Sequence, residues 1–234
     1  MARGMASKVA AAVAAVAAAV VGLVPGAWAS PHRPTPSPTA PLFPTAAALR
    51  SRFAAADYAI DINTIGGPRG RVGSVRPATV GTFPLLGLPD VNMALVRVTL
   101  AGGAHGPPHT HPRAAELLYL LRGTLDVYVV EENPAGAPRA RVIANTLAVG
   151  GMAAFPRGLV HGQRCVSTGG CEYIAALNAA DPGSVAVAPR LCDAPMEAVA
   201  AALGVPVRAA ARACGRVEGG LLPGQPQTWR PRRQ

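Results

Sequence analysis

The chain has 234 residues, of which 50% are hydrophobic and 15% are charged, and this length favours one domain with tails over two full domains. Its formal charge at pH 7 is +10, but aromatic residues make up only 4% of the chain, which argues against a stacking surface for nucleic acid. For an exported basic protein, an acidic polysaccharide of a cell wall is the better expected partner.

The N-terminus has the pattern of a secretory signal. Arg3 and Lys8 precede an apolar run at 9–24, and small residues stand before an expected cleavage after Ala29. The run is shorter than the roughly 20 apolar residues of a membrane-spanning helix, so cleavage is preferred to anchoring. We therefore expect a signal peptide at 1–29 and a secreted chain that has no membrane attachment after cleavage.

The next stretches alternate between loops and short strands. Residues 30–44 are rich in proline, serine and threonine and are expected to be a disordered lead. A helical turn or two is expected within 46–56, and an extended segment at 58–65. The strands predicted after that are 79–86, 92–101, 116–121, 125–130, 139–147, 152–155, 163–166, 172–178 and 184–187. Many short strands with glycine turns and no long helix among them indicate an all-β fold, a double-sheet jelly roll or small barrel at 45–189.

Turn residues predict two hairpins in this region. Arg122-Gly123-Thr124 is expected to join 116–121 to 125–130, and a second turn to join 163–166 to 172–178. The strand that begins at Glu116 is apolar on both faces beyond that residue. It must therefore be covered once by the barrel interior and once by another sheet or a neighbouring subunit.

After the strands the pattern becomes helical. Asp193 and Pro195 mark the start of a helix that Gly204 ends, and Pro206 starts a second helix that Gly215 ends. The sequence thus predicts a C-terminal helical hairpin at 190–215, followed by a basic disordered tail at 216–234.

Four cysteines allow three pairings in an oxidising compartment. Cys165 and Cys171 flank a turn-forming segment, so folding back as a hairpin would bring them together. Cys192 and Cys214 lie at the two open ends of the predicted helical hairpin. We expect the pairs Cys165–Cys171 and Cys192–Cys214.

Four side chains have the spacing of a metal site. His109 and His111 are two residues apart and so face one side of an extended segment. Glu116 follows at the head of a strand, and His161 comes from a distant strand after a turn that contains Gly158. Three imidazoles and one carboxylate, with room for water, suit six-coordinate manganese or iron better than closed tetrahedral zinc.

These stretches resemble the two signature boxes of germin-like proteins in the cupin superfamily. The matching residues are Gly103, His109, His111, Glu116 and Gly123 in the first box, and Gly150, Pro156, Gly158 and His161 in the second. Two departures stand out: Cys165 occupies the position of the family's asparagine, and the family's cysteine pair near the mature N-terminus is missing. The resemblance runs from about 42 to 187 and implies a single cupin jelly-roll β-barrel with Mn²⁺, or another divalent metal, at the site.

The resemblance also suggests functions. Germin-like proteins include superoxide dismutases and oxalate oxidases; in the latter, two asparagines approach the substrate, and here Val96 and Gly106 hold those positions. Dismutation of superoxide, a small anion, is therefore favoured over oxidation of oxalate. Arg113 and Arg157, close to ligands, could steer an anion inward or could be surface salt-bridge partners.

Three further expectations stay open. The second hypothesis is a non-catalytic metal-binding wall or storage protein, a nutrient reservoir, in the apoplast or cell wall. A small carboxylate hormone could bind beside the metal. In germin-like proteins the C-terminal helices pack on a neighbouring subunit, so the resemblance implies an oligomer, a trimer or a trimer-based hexamer. Helices folded onto their own barrel would instead give a monomer.

Overall fold

The computed structural model describes residues 44–67, 69–70, 72–132, 139–217 and 221. The predicted signal peptide at 1–29, most of the predicted lead and most of the predicted tail lie outside these residues. Within the described part, no helix is long and apolar enough to cross a membrane.

The described chain forms two antiparallel sheets. The strands, numbered in chain order, are β1 (Arg69–Gly70), β2 (Gly73–Ala78), β3 (Ala94–Leu100), β4 (His109–Thr110), β5 (Glu116–Arg122), β6 (Leu125–Val130), β7 (Val142–Leu147), β8 (Met152–Phe155), β9 (Val160–Cys165), β10 (Cys171–Leu177) and β11 (Val185–Ala186). Sheet A has the order β1-β2-β3-β10-β5-β8, and sheet B has the order β11-β4-β9-β6-β7. The all-β fold of two packed sheets that the sequence predicts is confirmed.

The core lies between the sheets because each strand turns alternate residues inward. β5, β6 and β10 contribute leucine, valine and tyrosine side chains to one continuous cluster. Leu118, Leu120 and Leu125 in that cluster have no exposed surface. Removing such side chains from water is the main source of stability for a sandwich of short strands.

The described residues form four short α-helices: α1 (Ala46–Arg50), α2 (Val187–Cys192), α3 (Met196–Leu203) and α4 (Val207–Cys214). α3 ends at Gly204, whose φ of 64° is the left-handed conformation that glycine adopts easily. Val199 and Ala200 of α3 pack on Ala210 of α4. The helical hairpin is therefore confirmed, and the predicted bond between Cys192 and Cys214 links its ends.

Both predicted β-hairpins are wrong. β5 lies in sheet A and β6 in sheet B, and likewise β9 lies in sheet B and β10 in sheet A, so each connecting turn crosses between sheets. The bond between Cys165 and Cys171 is present, but it spans such a crossing rather than a hairpin. Inward side chains from both strands of each pair reach the same core, which a flat hairpin would not allow.

The strand predicted at 163–166 is β9, which begins earlier, at Val160. Three further predicted extended segments also differ from the structure. In 58–65 the chain makes 3₁₀ turns, because the Asp61 carboxylate accepts a hydrogen bond from the Asn63 backbone N–H at 2.8 Å. In 79–86 it makes a turn and then a 3₁₀ helix that begins at Pro84. The last predicted strand, 184–187, keeps only β11, because the chain enters α2 at its end.

Candidate metal centre

The site lies between the two sheets. β4 and β9 are neighbours in sheet B, and their register places His109 directly opposite His161. His111 follows β4 two residues after His109, so its ring reaches the same side. Glu116 begins β5 in sheet A, where it pairs with Phe155 and Leu177. The three imidazoles thus come from one sheet and the carboxylate from the other.

The four predicted side chains converge. One nitrogen from each of His109, His111 and His161 and one oxygen of Glu116 all lie within 4.8 Å of one another. Glu116 Oε2 is 2.9 Å from His111 Nε2 and 3.3 Å from His161 Nε2. Glu116 is 6% exposed and His161 is 1% exposed, so the cluster is shielded from bulk water.

Backbone carbonyl groups hold all three imidazoles. The Nδ1 atom of His109 lies 2.9 Å from the Pro107 oxygen, and that of His161 lies 2.9 Å from the Leu159 oxygen. His111 Nδ1 lies 2.5 Å from the Gly183 oxygen.

A carbonyl oxygen can only accept, so each Nδ1 carries the hydrogen and donates it. In its neutral form, a ring held in this way offers its Nε2 lone pair to another partner, which is the arrangement that metal-ligating histidines use. The Phe155 ring stacks on His161, with centroids 4.5 Å apart, and supports that ring from the side.

The local electrostatics favour an ionised Glu116 carboxylate and act in opposite directions on His109 and His111. Burial by itself would raise the pKa of Glu116, but hydrogen bonds with His111 and His161 and their positive charge lower it to about 2. Burial, helped by the charge of His161, lowers the pKa of His109 to about 4. Burial also opposes charge on His111, but hydrogen bonds with Glu116 and the Gly183 carbonyl outweigh it and raise the His111 pKa above its ordinary value.

A cavity of about 460 Å³ opens beside His109, His111 and Glu116. Val96 and Gly106 both line it, so neither position at which oxalate oxidases carry asparagine offers a polar side chain here. Further apolar lining comes from Val75, Pro77, Val98 and Ala175. A small ligand in this cavity would meet the polar cluster on one wall and hydrocarbon on another.

The two arginines near the site have different surroundings. Arg113 Nη2 lies 2.7 Å from Asp181 Oδ1, and both side chains are more than half exposed, so Arg113 is a surface salt-bridge partner. Arg157 is exposed in the turn before β9, and among the described residues it has no ion-pair partner.

Two further polar residues of the cavity are not among the predicted site residues. Gln163 is 2% exposed and Tyr173 is 5% exposed, and both line the cavity. The signal for Gln163 is its position two residues after His161 on the same strand, because such residues share a face. Nothing local to Tyr173 points to the site, because it reaches the cavity from sheet A.

Comparison with known proteins agrees with this architecture. The family model described as Cupin matches residues 68–208, which is more than half of the chain. The chain belongs to the cupin family in its germin-like form. A germin-like protein of Arabidopsis thaliana, subfamily 1 member 10, is 38% identical over 123 residues, which are 53% of this chain and 53% of that protein. Germin-like protein 1-4 of Oryza sativa subsp. japonica is 38% identical over 157 residues, 67% of this chain and 62% of that one.

The chain thus spans from about half to three-fifths of the length of the curated germin-like relatives it matches. Among solved structures, an oxalate oxidase superposes with a TM-score of 0.61 at 23% identity, covering 72% of this cupin and 87% of that chain. Oxalate decarboxylase from Bacillus subtilis superposes with a TM-score of 0.59 at 22% identity, covering 71% of this cupin and 41% of that chain. At these identities the likeness shows a shared fold.

Proposed function

We propose that this germin-like cupin binds a divalent metal, preferably Mn²⁺, through His109, His111, Glu116 and His161. The convergence of their four ligand atoms within 4.8 Å carries the proposal. Imidazole suits several divalent metals and carboxylate suits the harder ones, so a mixed set with an adjoining cavity fits Mn²⁺ or Fe²⁺ better than a structural zinc.

The activity that this site supports best is superoxide dismutation. A bound manganese ion would supply a one-electron redox couple, through which one superoxide loses an electron to give dioxygen and another gains one, with two protons, to give hydrogen peroxide. The protein's part is to hold the ion in a water-poor site, to offset its charge with the Glu116 carboxylate and to leave the cavity open to a small anion. Val96 and Gly106 disfavour oxalate as the substrate, because neither offers a side-chain hydrogen bond.

Arg157 is the residue that we propose for attracting the anion. Its exposed guanidinium has no ion-pair partner among the described residues and lies four residues before His161. Arg113 contributes less positive field, because Asp181 neutralises it at 2.7 Å. The effect of Arg157 would appear in the rate of association and would weaken as salt is added.

The second candidate function is a metal-binding wall or storage protein without turnover. The absence of polar side chains at Val96 and Gly106 favours it, because a site can hold a metal without holding a substrate beside it.

One set of measurements separates the two functions. Purified protein is analysed for metal and assayed with superoxide and with oxalate, and His109→Ala is the control. Bound manganese with superoxide loss faster than free manganese supports the enzyme, and bound manganese without turnover supports storage. Activity that survives His109→Ala would remove this site from the explanation.

We propose that the protein acts outside the cell, in the apoplast or cell wall. All four cysteines form disulfide bonds, which persist in oxidising compartments. The signal pattern at 1–29 fits export, and the net charge of +10, which becomes 10 − 2 = +8 when Arg3 and Lys8 leave with the signal, fits attraction to acidic polysaccharide. Secretion of a tagged full chain, and its release from pectin by salt, would test both points.

We also propose that the chain assembles with copies of itself, as a trimer or a hexamer. The outer face of sheet A carries large apolar side chains that the described chain leaves uncovered. We call them the outer patch: Leu95, Leu117, Tyr119, Leu121 and Met152, each 37–53% exposed. The patch is continuous, because Tyr119 pairs with Met152, and Leu95 and Leu117 flank Ala176 in the register. A surface of this kind marks a protein interface.

A further inference from the structure

α4 carries a row of arginines on one face. Arg208 and Arg212 are four residues apart on this helix, so they share a face and lie about 6 Å apart along its axis. Arg216 follows four residues later, in the turn after Cys214, where Gly215 keeps helical dihedral angles of φ −65° and ψ −5°. All three arginines are exposed. We call them the α4 arginine row.

The opposite face of α4 fixes the direction of this row. Ala210 has no exposed surface and packs on Val199 and Ala200 of α3. Cys214 is bonded to Cys192, so both packing and a covalent bond hold the helix in place. Because Ala210 and Cys214 each follow an arginine of the row by two positions, they lie about 200° around the helix from it. The α4 arginine row therefore points away from the hairpin and toward solvent.

The α4 arginine row has no carboxylate partner. Residues 205–217 contain three arginines and no acidic residue. Among the described residues, none of the three forms an ion pair, whereas six other arginines have a carboxylate within 4.0 Å: Arg50, Arg97, Arg113, Arg122, Arg141 and Arg190. The few carboxylates of this chain are thus used elsewhere, and the row keeps its positive charge for another molecule.

The stability of the helix does not explain the row. Arg208 stands in the first turn of α4, which has no acidic residue, so its charge meets the positive end of the helix dipole. Arg212, in the last turn, is favoured by the dipole but repels Arg208, because like charges four residues apart are unfavourable. Pro206, at the N-cap, offers no capping side chain. A row that weakens its own helix is the kind of local conflict that is expected at a functional surface.

We propose that the α4 arginine row is the docking surface for a linear carboxylated polysaccharide outside the cell. Charge complementarity carries the proposal, because each guanidinium can hold a carboxylate through two parallel hydrogen bonds and a row of three follows an extended polymer. Residues 190–217 contain no Phe, Trp or Tyr on which nucleic-acid bases could stack. The inference rests on the proposed extracellular location, and it assigns the proposed attraction to acidic polysaccharide to particular residues.

Polygalacturonate is the probe for this proposal, and fully methyl-esterified pectin, whose carboxylates are masked, is the comparison polymer. The full chain, with its disulfide bonds formed, is titrated with each polymer at several salt concentrations. We expect binding to polygalacturonate that weakens as salt is added, and little binding to the ester. Arg208→Gln, Arg212→Gln and Arg216→Gln together should weaken polygalacturonate binding about tenfold at low salt, since three exposed charge contacts contribute about twofold each.

Two more variants separate the row from net charge and from folding. Arg52, Arg69 and Arg139 are exposed, lie outside the hairpin and form no ion pair among the described residues. Their joint replacement by glutamine removes the same charge and should change the affinity by less than about twofold. Replacement of the row by lysine keeps the charge and should weaken binding by no more than about threefold. The melting temperature of the glutamine variant of the row should not fall, because the substitutions relieve repulsion.

The outcomes are distinct. If the glutamine variant of the row binds polygalacturonate as the unaltered protein does, or if the scattered variant loses as much binding, the proposal is overturned and attraction by net charge stands. A changed mass of the row variant in light scattering would overturn it by assigning the row to a contact between subunits. Loss of binding to duplex DNA alone would overturn it in favour of nucleic acid. If the unaltered protein does not bind polygalacturonate, this inference and the proposed attraction to polysaccharide fall together.

Discussion

The two faces of β5 are both apolar, yet they have different roles. Leu118 and Leu120 point between the sheets and have no exposed surface, whereas Leu117, Tyr119 and Leu121 point outward and remain 38–45% exposed. The described chain covers the apolar side chains of the inner face, which begins with the Glu116 carboxylate of the candidate metal centre. It leaves those of the outer face uncovered. Burial of the first therefore contributes to folding and to the shape of the candidate metal centre, and we propose that burial of the second contributes to assembly.

The largest expected contrast between the faces is in metal binding. Glu116→Gln keeps the size of the side chain but removes the negative charge, and we expect manganese affinity to fall by ~100-fold or more. Leu117→Gln, the neighbouring residue on the other face, should leave metal content unchanged. Metal analysis after dialysis against a weak chelator measures both. Equal metal retention in the two variants would show that Glu116 is not a ligand.

The next contrast is in stability. Leu118→Ala should lower the free energy of unfolding by about 3 kcal/mol, because it leaves a cavity in the core between the sheets. Leu117→Ala should cost less than about 1 kcal/mol in the separated chain, because half of its surface already meets water. Urea unfolding at a concentration where the protein is monomeric gives both values. Similar costs for the two variants would contradict the assignment of faces.

Acid should destabilise the inner face when no metal is bound. The pKa of His109 is about 4 in the folded chain against an ordinary 6.5, so the unfolded chain binds the proton first as the pH falls. The stability contributed by neutral His109 is complete above pH 6.5 and is lost on the way to pH 4, by about 3 kcal/mol. The raised pKa of His111 contributes stability that is complete below pH 6.5 and is lost as the pH rises above that value.

Thermal unfolding of chelator-treated protein between pH 8 and pH 4 measures this effect. The melting temperature should be highest near pH 6.5 and should fall steadily below it. In His109→Gln the fall between pH 6.5 and pH 4 should be much shallower, since the titrating group is gone. An unchanged fall in that variant would assign the acid sensitivity to other groups.

The smallest effect on folding, and the sharpest on assembly, is expected at the outer patch. Replacing Leu117 and Leu121 together by serine should change the free energy of unfolding little but should convert an oligomer into monomers. Light scattering after size-exclusion chromatography measures the mass. The same replacement at Val142, an equally exposed residue of sheet B, is the control. An unaltered mass in the double variant would place the interface elsewhere.

The site was more predictable from the sequence than the path of the chain. An H-x-H spacing in an extended segment places two rings on one side whatever the surrounding fold is, so His109 and His111 could be paired from local geometry alone. The bounds of β6 and β8 were also predicted, because each is a compact apolar segment flanked by turns. The predicted disulfide partners were found as well.

What the sequence did not reveal depends on contacts between distant segments. Whether Gly123 turns the chain back into the same sheet or sends it to the other one is decided by packing of the core, not by the turn residues. The hydrogen bond between Gln163 and Tyr173 joins the two sheets, and no local sequence pattern predicts it. Asp61 and Pro84 instead carried local signals for turns, which outweighed the alternation of apolar residues around them.

The carbonyl groups that hold the three imidazoles belong to the main chain, at Pro107, Leu159 and Gly183. The orientation of the three imidazole rings is thus set by the path of the backbone and not by the identity of supporting side chains. Such a scaffold tolerates substitution of the side chains around the candidate metal centre. Replacement of Glu116 alone, by selection or by design, would change which metal ion is preferred while the three imidazoles keep their positions.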